Sequence, residues 1–178
     1  MYLRGTLCTV RRWRIDDAEA LVRHANNVNV ARQLRDRFPH PYSRANAHAF
    51  LKSAIAADEP SNLAIDVDGE AAGAIGYVAG ADVERYSAEI GYWVGEAHWG
   101  RGVVTEALVL VTEHVFTAAN LLRLFALPFA DNVGSTRVLE KAGYVREAIL
   151  RSSSVKNGQP RDQALYARIN DNWRGVDG

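Results

Sequence analysis

The 178-residue sequence predicts an α/β fold, a single mixed, mostly antiparallel sheet of about seven strands flanked by about four helices. Three observations carry this. Val103, Ala107, Val111 and Val115 recur every fourth position with Leu108 beside them, one apolar helical stripe from which Glu106, Thr112 and Glu113 fall away. Two dipeptides, Asp68-Gly69 and Asn157-Gly158, have the form of two-residue hairpin turns. In chain order the elements read βααβββαβαββ, with no internal repeat, low-complexity tract or linker, so residues 1–178 read as one domain.

Residues 6–13 alternate Leu7, Thr9 and Arg11 with Cys8, Val10 and Arg12, the pattern of an edge strand. Asp16-Asp17 then caps a helix running to about Asn27, with Leu21 and Val22 on its buried face. From 26 to 43 the chain is irregular around Phe38-Pro39-His40-Pro41-Tyr42, where two prolines exclude regular structure. Aromatic residues in such a polar loop line a pocket or lid, which makes Phe38 and Tyr42 candidate substrate-binding residues, or they pin a connector into the core. Ser43 or Asn46 caps a second helix through Ala57, ended by Asp58-Glu59-Pro60.

Residues 63–67 and 72–79 form a hairpin about Asp68-Gly69, and a polar loop at 82–85 leads to a strand over 88–94 that is short, aromatic and β-branched. After the stripe helix come a strand at 122–129 and a short helix at 132–142, with Gly143 as its C-cap residue. Strands at 144–152 and 163–169 close the chain about Asn157-Gly158.

Composition narrows the function classes. Twenty-one basic and 21 acidic residues cancel, so no global charge recruits nucleic acid or an anionic membrane. No apolar run approaches the ~20 residues of a membrane helix. The N-terminal arginines follow the apolar residues, the reverse of a signal peptide. The one cysteine, Cys8, rules out an internal disulfide and fits a reducing, cytoplasmic setting; it reads as a buried structural thiol, with a nucleophilic role as the alternative. The five histidines lack metal-ligand spacing, so no metal is expected. Oligomeric state is not encoded legibly, and a homodimer stays open.

Between the strand at 88–94 and the stripe helix lies His98-Trp99-Gly100-Arg101-Gly102. Two glycines before a helix let the backbone turn tightly and aim several N–H groups into one space. The helix start adds its orphan donors and the positive end of its dipole, and Arg101 adds a full charge, an assembly suited to a phosphate. An ordinary strand-to-helix turn is the alternative. A dinucleotide fingerprint is disfavoured, because the third glycine and the acidic residue about 20 positions on are missing.

Residues 99–107, Trp99-Gly100-Arg101-Gly102-Val103-Val104-Thr105-Glu106-Ala107, resemble the acyl-CoA pyrophosphate loop of the GNAT superfamily of N-acyltransferases, most closely its ribosomal-protein N-terminal (Rim-type) acetyltransferase branch. Three further segments resemble that branch in the same order: Ala88-Glu89-Ile90-Gly91-Tyr92-Trp93-Val94, then Asn132-Val133-Gly134-Ser135-Thr136 with Leu139-Glu140-Lys141-Ala142-Gly143-Tyr144, then Arg161-Asp162 with Leu165-Tyr166-Ala167-Arg168. Two positions depart from the broad family pattern. Trp99 stands where Gln or Arg is frequent, and Val104 where Gly or Ala is usual; only the N–H of the latter is needed.

The resemblance implies a GNAT-like fold and acetyl-CoA as co-substrate, with the acetyl group moving to a primary amine by direct attack in a ternary complex. The acceptor would be a protein N-terminus or a small-molecule amine. It further implies that Tyr92, Trp93 and Val94 pair with pantetheine while Trp99, Gly100, Arg101, Gly102, Val103, Val104 and Thr105 hold the pyrophosphate. Asn132 and Ser135 would contact the cofactor from a second helix start. Glu89 matches a family glutamate that acts as base through water, or holds backbone structurally. Ser135 matches the serine that protonates the departing thiolate, or is a second capping hydroxyl; Tyr144 is the other candidate acid, or core. A non-catalytic acyl-CoA-binding sensor or assembly module with the same fold is the alternative function.

Overall fold

A computed structural model describes residues 1–57 and 61–175, so the helix stop read at Asp58-Glu59-Pro60 lies outside the described residues. The strands are β1 (Tyr2–Arg4), β2 (Thr9–Arg11), β3 (Asn62–Val67), β4 (Glu70–Ala79), β5 (Ser87–Val94), β6 (Arg123–Ala126), β7 (Val145–Lys156) and β8 (Gln159–Ile169). The α-helices are α1 (Ala18–Ala25), α2 (Val28–Ala31), α3 (Arg44–Ala56), α4 (Val103–Ala118) and α5 (Val133–Lys141). The sheet order is β1-β2-β3-β4-β5-β6-β8-β7, mostly antiparallel, with β5 and β6 parallel.

The eighth strand arises at the N-terminus. Of the edge strand expected over 6–13, Thr9–Arg11 forms as β2, and an additional strand precedes it: β1 is the edge and β2 lies inside it against β3. The turn between them is closed by Gly5 N–H donating to Cys8 O (2.9 Å). The fifth helix is α2, inside the segment read as irregular. Asn27 caps it by accepting from the N–H groups of Asn29 (2.8 Å) and Val30 (3.3 Å). α1 accordingly stops at Ala25, not Asn27, and the polar loop near 82–85 contains a 3₁₀ turn.

The described chain divides into two compact units, Met1–Gly76 with Tyr92–Ala107, and Tyr77–Gly91 with Leu108–Gly178. In the first, Trp13, Leu21, Tyr42, Ala47 and Leu51 are buried with Ala64 and Ala71 of the sheet, and Trp13 meets Phe50 edge-on at 5.3 Å. A charged cluster is buried beside them: Arg11 forks onto Asp17 (both bonds 2.8 Å) and donates Nε–H to Asp66 (2.7 Å). Losing Arg11 would leave two buried carboxylates facing each other, a defect of about 3–5 kcal/mol.

In the second unit Ala88, Ile90, Leu108, Val111, Val115, Leu124, Leu139 and Tyr166 are buried. The apolar stripe of α4 is therefore inward as expected, each large aliphatic contributing about 1.5–3 kcal/mol. Thr112, placed off the stripe by its polarity, is fully buried, because its Oγ1 hydrogen-bonds the Tyr144 hydroxyl at 2.8 Å. Gly143, at φ +82°, ends α5 in the left-handed conformation.

Candidate functional site

The bend before α4 is built from its two ends inward. Gly95 N–H donates to Ala72 O (2.8 Å), and Gly95 lies so close to the His24 ring that a Cβ there would collide with it. A 3₁₀ turn at Glu96–His98 follows, and the Trp99 indole N–H returns to Val94 O at 2.9 Å. Gly100 and Gly102 then take φ +72° and +82°, which side chains rarely adopt. A Cβ on Gly100 would meet nothing within 4 Å, while one on Gly102 would stand 3.2 Å from Leu7 Cδ1. The bend is thus open at Gly100 and backed at Gly102. Arg101 is exposed, and Val103 is buried where α4 begins.

Two carboxylates support this bend. Glu96 accepts from the side-chain amides of Asn27 (2.7 Å) and Asn29 (3.0 Å), tying the 3₁₀ turn to α2. Glu106, in the opening turns of α4, accepts three main-chain N–H groups, from Thr6 (2.8 Å), Leu7 (2.7 Å) and Cys8 (2.9 Å). Partial burial opposes its ionisation, but those three bonds outweigh it and hold its pKa below the usual carboxylate range. The sequence marks Glu106 only as a polar residue off the apolar stripe of α4. Its role depends on a turn far away in sequence, and no local pattern could expose it.

Titratable neighbours sharpen the electrostatics. Burial first, then proximity to His24 and Arg101, push the His98 pKa below the usual imidazole value, so His98 is neutral at neutral pH. Cys8 is buried with its thiol 3.7 Å from Val103 O; burial and the Glu106 charge raise its pKa to about 12. That makes it a structural thiol, without the thiolate a nucleophile needs.

Phe38 and Tyr42 fall in the same unit. Phe38 is half-buried, 5.2 Å from the Tyr42 ring and 5.4 Å edge-on from Trp93 of β5. Tyr42 is only 5% exposed, and burial lifts its hydroxyl pKa to about 12. It supports Phe38 from behind and offers little surface of its own; Phe38 is the one of the pair with open surface.

Glu89, Asn132 and Ser135 lie in the second unit. Glu89 is half-buried between the fully buried Ala88 and Ile90, on the same face of β5 as Gly91, where a Cβ would meet only open space. The parallel ladder of β5 with β6 runs from Ser87–Arg123 to Glu89–Phe125 and ends there, before Tyr92. Asn132 caps α5 by accepting the Ser135 N–H at 3.1 Å. Tyr144 is buried on Thr112 with its pKa lifted to about 12, chiefly by burial, which assigns it to the core. Among the described residues no group of three or more His, Cys, Asp or Glu is arranged to hold a metal ion, and no helix is long and apolar enough to cross a membrane.

Comparison with known proteins agrees with this geometry. An uncharacterised N-acetyltransferase of Bacillus subtilis, YoaA, is 39% identical over 100 residues, 56% of each chain. The ribosomal-protein-serine acetyltransferase of Escherichia coli is 35% identical over 85 residues, 48% of each chain. The chain thus matches about half the length of these curated relatives. Among solved structures, RimJ of Mycobacterium smegmatis, in complex with CoA-disulfide, superposes with a TM-score of 0.82 at 27% identity, covering 95% of this chain and 86% of that one. The family model for the acetyltransferase (GNAT) domain matches residues 8–145, from Cys8 of the N-terminal hairpin through the bend and both helix starts, and the chain belongs to that family.

Proposed function

We propose that this chain transfers the acetyl group of acetyl-CoA to a primary amine by direct attack in a ternary complex, in the cytoplasm. The observation that carries the reading is the bend at 99–102. Two left-handed glycines, one facing open space, lead into α4 in a chain of the GNAT family. The main-chain amides of 100–105, with Trp99 beside them and Arg101 adding charge, would hold the pyrophosphate. Main-chain groups of Tyr92, Trp93 and Val94 would pair with the pantetheine amides, and the β5–β6 ladder ending at Glu89 is consistent with that. Asn132, whose Oδ1 is committed to the Ser135 N–H, would offer its Nδ2 donor.

Bound acetyl-CoA supplies the thioester acyl group; the chain's residues manage protons. Glu89 takes a proton from the incoming ammonium through a water, and the open space beside Gly91 leaves room for one. Ser135 donates to the departing sulfur and regains its proton from the attacking nitrogen as the tetrahedral intermediate collapses, so the second amine proton ends on the thiol. The demand is modest because a thiol's pKa is about 8.5. An α-amine, pKa about 7.7–8.0, is easier to deprotonate at neutral pH than a lysine-like amine at about 10.4, by over 3 kcal/mol at 1.36 per unit. This favours a protein N-terminus or a weakly basic small amine as acceptor, with Phe38 at its pocket edge. The name of the Escherichia coli relative, a ribosomal-protein-serine acetyltransferase, makes ribosomal proteins the first class to try.

The test is release of coenzyme A thiol, followed with dithionitrobenzoate, over a panel of N-terminal peptides and small amines. Turnover with an α-amine supports the reading; measurable coenzyme A binding without turnover on any amine would favour a sensor instead. Glu89→Gln should lower the rate about 100-fold with coenzyme A affinity kept. An unchanged rate would remove Glu89 from the mechanism.

A further inference from the structure

We infer that Glu106 is a positioning residue for the pyrophosphate-binding bend, holding residues 6–8 in place as the floor on which Gly102 and the first turn of α4 rest. The inference rests on the reading of that bend proposed above. One residue joins three segments here. Its main-chain N–H donates to Gly102 O at 3.0 Å, the bond that fixes the bend to the helix. Its carboxylate takes the N–H groups of Thr6, Leu7 and Cys8, all within 2.9 Å. The segment so held presses back: Leu7 Cδ1 would be 3.2 Å from a Cβ on Gly102, and the Cys8 thiol reaches Val103 O at 3.7 Å.

Gly5 shows how closely the fit is made, since a Cβ there would collide with the Glu106 carboxylate. The charge is also informative. A carboxylate near a diphosphate site repels the ligand unless its charge is met elsewhere, and three converging N–H groups meet it on the side of residues 6–8. Glutamine offers a single acceptor oxygen and sets an NH₂ against an N–H, so it cannot reproduce the arrangement.

Two variants attack this joint from opposite sides. Glu106→Gln removes the charge and one acceptor; Gly5→Ala leaves Glu106 intact but places a methyl where its carboxylate sits. Each is compared with the wild-type chain by calorimetry with coenzyme A, by amide hydrogen exchange and by thermal melting. Both should weaken coenzyme A binding about tenfold, and exchange should quicken at residues 5–8 and 100–106 only. With an amine substrate the loss should fall on KM for acetyl-CoA and spare kcat. Variants that melt earlier but bind coenzyme A as the wild type does would overturn the inference and leave the acetyl-CoA reading standing. A wild-type chain that gives no heat with coenzyme A would overturn both.

Discussion

The starts of α4 and α5 are each proposed to touch the same cofactor, yet they are assembled in different ways. At α5 the side chains serve the helix itself: Asn132 accepts the Ser135 N–H, and the Thr136 hydroxyl donates to Val133 O at 3.1 Å. At α4 the side chains reach outward, Trp99 to the end of β5 and Glu106 to residues 6–8. The bend between them is shaped by two glycines at positive φ. A start closed by its own cap is a stability device. A start shaped by glycine and braced from behind keeps its geometry for something else to read.

The contrast is broken most strongly at Gly102. Gly102→Ala forces a side chain to φ +82° and into Leu7, strain of about 1–3 kcal/mol. If that strain falls on binding, calorimetry should show coenzyme A affinity reduced about 5- to 150-fold with the fold intact. Gly100→Ala shares the strain at φ +72° without the clash, so its loss should be the smaller. Equal losses would show that Leu7 is not the floor of the bend.

At α5, Asn132→Ala should cost about 1 kcal/mol of stability, a fall in Tm of roughly 2–4 °C, with a smaller effect on coenzyme A than Gly102→Ala. A loss as large as that of Gly102→Ala would make both starts equal grips on the ligand. Acid titration separates them more gently. The lowered pKa of Glu106 gives stability that is present above the usual carboxylate range and lost as pH falls through its folded value. Glu106→Gln should flatten that part of the Tm–pH curve, and a parallel curve would mean the carboxylate is not held as described. The smallest effect expected is none: native Cys8, with its pKa near 12, should not react with dithionitrobenzoate at mildly alkaline pH until the chain unfolds.

What could be read from the sequence was local. Asp68-Gly69 and Asn157-Gly158 form their turns with φ of +54° and +90°, and of +52° and +74°, the signs that Asx-Gly pairs favour. Gly143 behaves as a C-cap, and the α4 stripe is buried where its spacing put it. The bend was visible for the same reason, because a Gly-x-Gly before a helix is its own evidence. The N-terminal hairpin was not. Alternation over 6–13 marked β2, but β1 has three residues, too few to show a period, and the turn between them is held by Glu106, 100 positions from Thr6. The helix α2 was hidden likewise, since Asn27 and Asn29 are tied to Glu96 across the sequence. Thr112 looked like surface until Tyr144 supplied a partner.

The edge-on contact of Phe38 with Trp93 has a practical corollary. The stretch 32–37 joins α2 to that ring pair through turns of its own, the Leu34 N–H donating to Ala31 O at 3.1 Å and the Phe38 N–H to Arg35 O at 2.9 Å. Under the proposed reading, with Phe38 at the edge of the acceptor pocket, a library confined to 32–37 is the first place to seek variants that change which amine is accepted.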